Sequence, residues 1–275
     1  MRDLHILSID IDYILEPCIN LYEKHLTQGH PFFVSYVEML DHPADVLAHW
    51  RDLAPLINKA GEISQQNYLD VVDVYSKALF SFKKSESDKL YFADNHDTIL
   101  TPLQNMYQEG DKFNIINVDH HHDIYYNISQ MQNVDLYNLA SPADWVWYLE
   151  KNNLLNTYYW IGNDNSEDFK PIQDKKPIGI SNTGFFKSLK EFREDETRMP
   201  KKFDLIYVCK SPQWTPTKFY SYFENLKHLA ENYFKKEFKQ DTGFFCGGRV
   251  SKNFFKEPEK GLVLDKKFYK GKDDT

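Results

Sequence analysis

The segment FNIINVDHHHDIYY, residues 113–126, sets three consecutive histidines between two aspartates directly after an apolar run. In an extended chain successive side chains alternate faces, so Asp119, His121 and Asp123 are predicted to point one way and His120 and His122 the other. The pattern is Asp-x-His-x-Asp. Two carboxylates and an imidazole supply the oxygen and nitrogen donors that a divalent transition metal takes, and the C-terminal ends of strands are where open α/β sheets bind ligands. A polar loop without a ligand would account for a lone Asp-His pair, but the apolar strand in front argues for a built site.

The N-terminus repeats the theme. In HILSIDIDYILEP, residues 5–17, Asp10 and Asp12 lie two apart and alternate with Ile9 and Ile11. Two acids in an interior strand are costly to bury unless a cation neutralises them. A third candidate strand end, YFADNHDTIL at 91–100, offers His96. Together these are four carboxylates and two imidazoles from three strand ends. Carboxylates packed so closely repel and take up protons, and two divalent ions cancel their charge. The inventory suits a dinuclear site, and its richness in carboxylates favours Mn2+ over Zn2+.

Elements that can position such a site are legible as alternating strands and helices. Residues 4–14, 89–95, 113–119, 157–163, 177–182 and 203–209 are short runs, rich in β-branched and aromatic residues and mostly continuous in hydrophobicity. Runs of this kind suit a parallel sheet buried on both faces. Between them, Tyr68, Val72, Tyr75 and Leu79 fall on one helical stripe behind a Ser64 cap. SPADWVWYL opens with Ser141 as N-cap, Pro142 next and Asp144 three after the cap. Thr215 and Pro216 open a last helix with Phe219, Phe223, Leu226 and Tyr233 along one side. The expectation is one α/β domain over residues 1–275, three layers deep with a mostly parallel central sheet. Residues 16–50, with Pro17, Pro31 and Pro43, are read as an excursion over the sheet edge, and residues 240–275 as a peripheral extension.

Composition bounds the partners. The formal net charge of -8, with no dense basic patch, argues against nucleic acid and is compatible with a cationic substrate. Cys18, Cys209 and Cys246 are odd in number and show no C-x-x-C spacing, so no disulfide framework or zinc knuckle is indicated and a reducing cytoplasm fits. Acids interrupt the N-terminal apolar run, which a secretory signal excludes, and no uncharged run is long enough to span a bilayer.

These residues resemble a known family. Ser8-x-Asp10-x-Asp12 followed by Glu16-Pro17 resembles the S-x-D-x-D-x-x-D-P signature of the ureohydrolases, which include arginase and agmatinase. Asp119-x-His121-x-Asp123 resembles their D-x-H-x-D signature, and His96 in ADNH resembles the histidine of their G-G-D-H segment. The resemblance implies two manganese ions sharing a bridging hydroxide. Carried over, His96, Asp119, Asp123 and Asp10 would hold one ion and His121, Asp119, Asp10 and Asp12 the other, with Asp119 and Asp10 bridging. In standard arginases the D-x-D strand comes late in the chain, whereas here it comes first. That order, with SPQWTP at 211–216 after the last strand, resembles the peptide arginases, which convert arginine side chains of ribosomally made precursor peptides to ornithine and release urea. The resemblance covers residues 4 to 235 and implies the arginase/deacetylase-like fold with its strand order rearranged in sequence.

The residues around the ligands depart from the family. No histidine follows His122 except His228, on a helix and expected to face solvent, so the proton-shuttle candidates are His122, His120 or the upstream His42, with a solvent water as the alternative. The late strand that carries a guanidinium-binding glutamate in ureohydrolases offers Tyr207 and Ser211 but no acid between them. Glu38 and Asp164 are candidates for that charge, Tyr207 for a polar contact, and Glu16 is read as a turn residue. Tyr125 and Tyr126 stand where a free amino acid's carboxylate would be read, and they suit a peptide groove or a core. Three alternatives stay open: a ureohydrolase of a free guanidine, a zinc deacetylase of the same superfamily, and a binding protein that kept the fold.

Overall fold

Alternating apolar runs become a single sheet because its central strands each have an apolar layer to cover on both sides. In this computed structural model, which describes residues 2–15, 63–124, 140, 144–164, 166, 182–212 and 214–242, seven strands form it. They are β1 (Asp3–Asp10), β2 (Leu90–Ala93), β3 (Lys112–Val118), β4 (Leu155–Ile161), β5 (Asn182–Phe186), β6 (Leu205–Cys209) and β7 (Gln240–Asp241). Their order across the sheet is β5-β4-β3-β1-β6-β2-β7, and every pairing is parallel. The chain runs outward from β1 through β3, β4 and β5 on one side, while β6, β2 and β7 fill the other. The first strand of the chain is therefore central, at the point where the strand order reverses.

Helices cover both faces and make three layers. On one face α1 (Gln65–Phe80), α4 (Leu189–Arg193) and α5 (Tyr220–Phe234) pack on Leu7, Ile9, Ile116, Val118, Ile206 and Val208. On the other, α2 (Leu100–Met106) and α3 (Trp145–Lys151) pack on Leu4, Ile6, Phe113, Ile115 and Leu205. Ser64 caps α1 as expected, accepting the Asn67 N–H at 3.3 Å. Val71, Val74, Tyr75, Ala78 and Leu79 are its buried stripe, with Tyr68 and Val72 at the margin. In α5 the stripe is Phe223, Leu226, Ala230 and Phe234, so Phe234 replaces Tyr233 in the core. Among the described residues no helix is long and apolar enough to cross a membrane.

Several expected boundaries move. β1 stops at Asp10, and the chain curls into a 3-10 turn over Ile11–Leu15 instead of running on to residue 14. The fifth strand begins at Asn182, later than the run at 177–182, because Thr157 to Ile161 pair with Asn182 to Phe186. α3 starts at Trp145 with Asp144 at its N-cap position; Ser141 and Pro142 lie outside the described residues. Gln240 and Asp241 are edge-strand residues paired with Phe92 and Ala93, so the part of the chain from 240 begins inside the sheet. The excursion at 16–50 lies outside the described residues.

Candidate metal centre

Four neighbouring strands, β3, β1, β6 and β2, end together near the middle of the sheet. The alternation along them decides what is delivered there. Ser8 and Asp10 on β1, Asn117 on β3, and Tyr207 and Cys209 on β6 share the face covered by α2 and α3. Asp119 follows β3 directly, and His96 opens a 3-10 turn just after β2.

His96 is buried with three carboxylates on one ring nitrogen. Its Nδ1 lies 2.9 Å from Asp123 Oδ2, 3.2 Å from Asp119 Oδ2 and 3.4 Å from Asp10 Oδ2. Its Nε2 lies 2.6 Å from Ser8 Oγ. Nδ1 faces the acids and Nε2 faces the serine hydroxyl, so each ring nitrogen has its own partner and the ring orientation is set. The ring is parallel to that of Tyr207, with centroids 5.9 Å apart, and Trp145 packs at 5.1 Å.

His121 is the second imidazole, and 16% of its side chain is exposed, so this half is the one that meets solvent. Its Nδ1 is 2.8 Å from Asp12 Oδ2 and 3.9 Å from Asp119 Oδ1. Trp214 lies against its ring at 4.7 Å. Asp119 therefore turns Oδ2 toward His96 and Oδ1 toward His121.

Two sets of donors are close enough that each could hold a metal ion. Asp10, His96 and Asp119 form one group, and Asp12, Asp119 and His121 another, with the ligand atoms of each within 4.8 Å of one another. Oxygen and nitrogen donors on one ion, at bond lengths of about 2.0–2.2 Å, lie up to about 4.4 Å apart. Only Asp119 is common to both groups; Asp10, expected from the resemblance to bridge as well, belongs to the His96 group. Asp123 joins through its contact with His96.

The electrostatics also call for positive charge. Four carboxylates face two imidazoles, so an excess of negative charge remains even with both rings protonated. Burial, and then Asp12, push Asp10 upward; burial, and then Asp119, do the same to Asp12. Burial, then Asp123 and Asp10, push Asp119 up to about 6. Burial alone lowers the His96 imidazole, but Asp123, Asp10 and Asp119 outweigh it and hold the ring well above its ordinary value. Carboxylates that resist ionisation together are what bound divalent cations relieve.

A polar shell aims the ligands. Trp145 Nε1 donates to Asp123 Oδ2 at 2.7 Å, and Asn117 Nδ2 donates to Asp119 Oδ2 at 3.2 Å. The His121 and His120 amides donate to Asp119 Oδ1 at 2.8 Å and Asp12 Oδ1 at 3.2 Å. Trp160 Nε1 donates to the Asp119 carbonyl at 2.9 Å, and Ser211 Oγ donates to Asp10 Oδ2. Asp97, next to His96, is a further buried acid; burial and then Asp144 hold it well above the usual carboxylate range.

Strand alternation predicted the convergence for an incomplete reason. Asp12 reaches the site from a 3-10 turn, and Asp119 to Asp123 form a loop beyond β3 in which Asp123 takes a positive φ of 50°. The candidates around the ligands fare unevenly. His122 is buried against Trp160, accepts the Ile124 N–H at 3.1 Å, and is pushed down to about 3 by burial and then His121, which does not suit a proton carrier near neutrality. His120 Nδ1 is 3.2 Å from Asn163 Oδ1, and its ring stands edge-on to His121. Tyr207 is buried, stacks on His96, and has its hydroxyl joined to Thr98 Oγ1 and the Asn95 carbonyl. Asp164 is exposed, next to Asn163. His228 is exposed and pairs with Glu231, as expected. Glu16, Glu38, His42, Tyr125 and Tyr126 lie outside the described residues. Sequence reasoning missed Asn117, two positions before Asp119 on the same face of the strand, and Trp145, Trp160 and Trp214, whose partners are distant in the chain and carry no local spacing signal.

No protein-family model, curated protein or solved structure matches the chain.

Proposed function

We propose that this chain is a hydrolase dependent on two Mn2+ ions, one held by Asp10, His96, Asp119 and Asp123 and the other by Asp12, Asp119 and His121, and that it converts arginine side chains of a peptide to ornithine with release of urea. One observation carries the metal part: two three-donor groups share Asp119, with one oxygen turned to each half. The substrate part rests on the motif resemblance and on the order of the motifs in the chain.

When bound, the ions supply Lewis acidity and make water a competent nucleophile near neutral pH. The protein's own groups do the rest. Ser8 holds the His96 ring with Nδ1 turned to the carboxylates, where it would ligate an ion, and Trp145 and Asn117 hold Asp123 and Asp119 against rotation. Tyr158, Trp160 and Tyr207 are buried and close the floor to water. The side with access is that of His121 and the half-buried Trp214, where a planar guanidinium can lie against an indole face. In the reaction a water oxygen adds to the guanidinium carbon, the bond from that carbon to the side-chain nitrogen breaks, and a proton passes to the leaving amine. His120, edge-on to His121, is the adjacent histidine retained as a candidate to relay that proton, with a solvent water as the alternative.

The test is metal content of Mn2+-reconstituted protein together with urea release from arginine-containing peptides, free arginine and agmatine. About two Mn per chain with urea from peptides alone is the expected result. Urea from a free guanidine alone would move the assignment to a small-molecule ureohydrolase. One Zn2+ and no urea would overturn the reading in favour of the deacetylase branch.

A further inference from the structure

Ser211, two residues past the end of β6, adopts a φ of 45° although it is not glycine, and it is buried. In that left-handed region a Cβ is a steric burden that glycine does not carry. The backbone there is fully engaged. Ser211 N–H donates to the Asp94 carbonyl at 2.9 Å, and its carbonyl accepts from Trp214 N at 2.9 Å and Thr215 N at 2.7 Å. Glycine would keep all three bonds and relieve the strain, so the turn itself gives no reason for a serine.

The side chain gives one. Ser211 Oγ donates to Asp10 Oδ2, the oxygen that faces His96 Nδ1 at 3.4 Å, while Asp10 Oδ1 accepts the Asp12 N–H at 3.2 Å. With one oxygen on each anchor, the Asp10 carboxylate is held at a fixed rotation. Cys209 Sγ, 3.3 Å from Ser211 Oγ, donates to the Asp94 carbonyl and is no substitute donor for Asp10. Backbone strain kept at one residue whose side chain serves a site is a pattern of functional positions.

We propose that Ser211 is a positioning residue for metal, retained against backbone strain because its hydroxyl orients Asp10 for the ion shared with His96 and Asp119. The inference rests on the two-ion reading above. It is also directional: the carboxylate that Ser211 holds, Asp10, belongs to the His96 group and not to the group of Asp12 and His121, so the effect is expected on one of the two ions.

The experiment is calorimetric titration of metal-free wild-type protein, S211G and S211A with Mn2+, with thermal unfolding of each metal-free form. The expected result is that one Mn2+ equivalent weakens by about 10-fold or more in both variants, the range seen when a partner of a metal ligand is removed, while the other is unchanged. The metal-free S211G keeps its cooperative unfolding and melts close to the wild-type temperature, because relief of the backbone strain offsets the lost bond to Asp10. Wild-type affinity for both equivalents in S211G and S211A would overturn the role of Ser211 and leave the two-ion reading standing. A wild-type chain that takes up no Mn2+ would overturn both.

Discussion

The same strands present two different chemistries to their two sides. Toward α1, α4 and α5, residues Leu7 and Ile9 of β1, Ile116 and Val118 of β3, and Ile206 and Val208 of β6 are all apolar. Toward α2 and α3 the alternate positions begin apolar, with Ile6, Ile115 and Leu205, and turn polar at the C-terminal end, with Ser8, Asp10, Asn117 and Asp119. Both sides are equally buried. One side stabilises by removing apolar surface from water; the other, without cations, gathers like charges whose ionisation opposes folding. The contrast separates the part of the sheet that holds the fold from the part where buried like charges oppose it.

The sharpest way to break the contrast is Asp119→Asn on the polar side. Because Asp119 serves both donor groups, this variant is expected to lose both Mn2+ ions and all hydrolytic activity while keeping its far-ultraviolet circular dichroism. Retention of one ion would show that the halves assemble independently. On the apolar side Ile9→Ala should do the reverse, costing about 2–5 kcal/mol of stability in urea unfolding with Mn2+ stoichiometry unchanged.

The pH dependence of the metal-free chain sharpens the same contrast. Asp119 stands at about 6 in the folded chain against an ordinary 3.8, so between those values the native state binds a proton that the unfolded state does not. Its contribution is therefore favourable below about pH 4 and is lost as pH rises through about 6, a swing on the order of 3 kcal/mol. His96, also raised, acts in the same direction. Urea unfolding across that window should show wild type losing stability relative to Asp119→Asn, and saturating Mn2+ should restore it; parallel curves without metal would remove this account. The smallest effect expected is Ser8→Ala, which frees His96 Nε2 and should weaken Mn2+ binding by about 10-fold to 100-fold with little change in fold. Equilibrium dialysis against Mn2+ measures it.

Much of the site was legible before the fold. Donor residues two apart at the end of an apolar run advertise a strand end, since the local alternation of a strand is short-range geometry. Hence Asp10, Asp119, His121 and Asp123 could be named from spacing, as could the α/β class from alternating runs. Asp12 was named for the wrong local structure, because a 3-10 turn and a strand both carry the D-x-D pattern. Tyr207 was taken as a substrate contact because a late strand offers it, but its stacking on His96 depends on β6 and β2 being neighbours, which no local pattern encodes.

The sequence by itself determined which donors exist and that each stands at the end of an apolar segment, for those properties depend on residue type and on periods of two. The tertiary structure alone decided which strand ends meet. That β1 lies between β3 and β6, with β2 one place further, follows from how crossover helices bury both faces of the sheet, a cooperative property of the whole chain. Only that arrangement gives His96 its three carboxylates, Asp119 its two histidines and Asp10 the hydroxyl of Ser211, some two hundred positions along the chain from it.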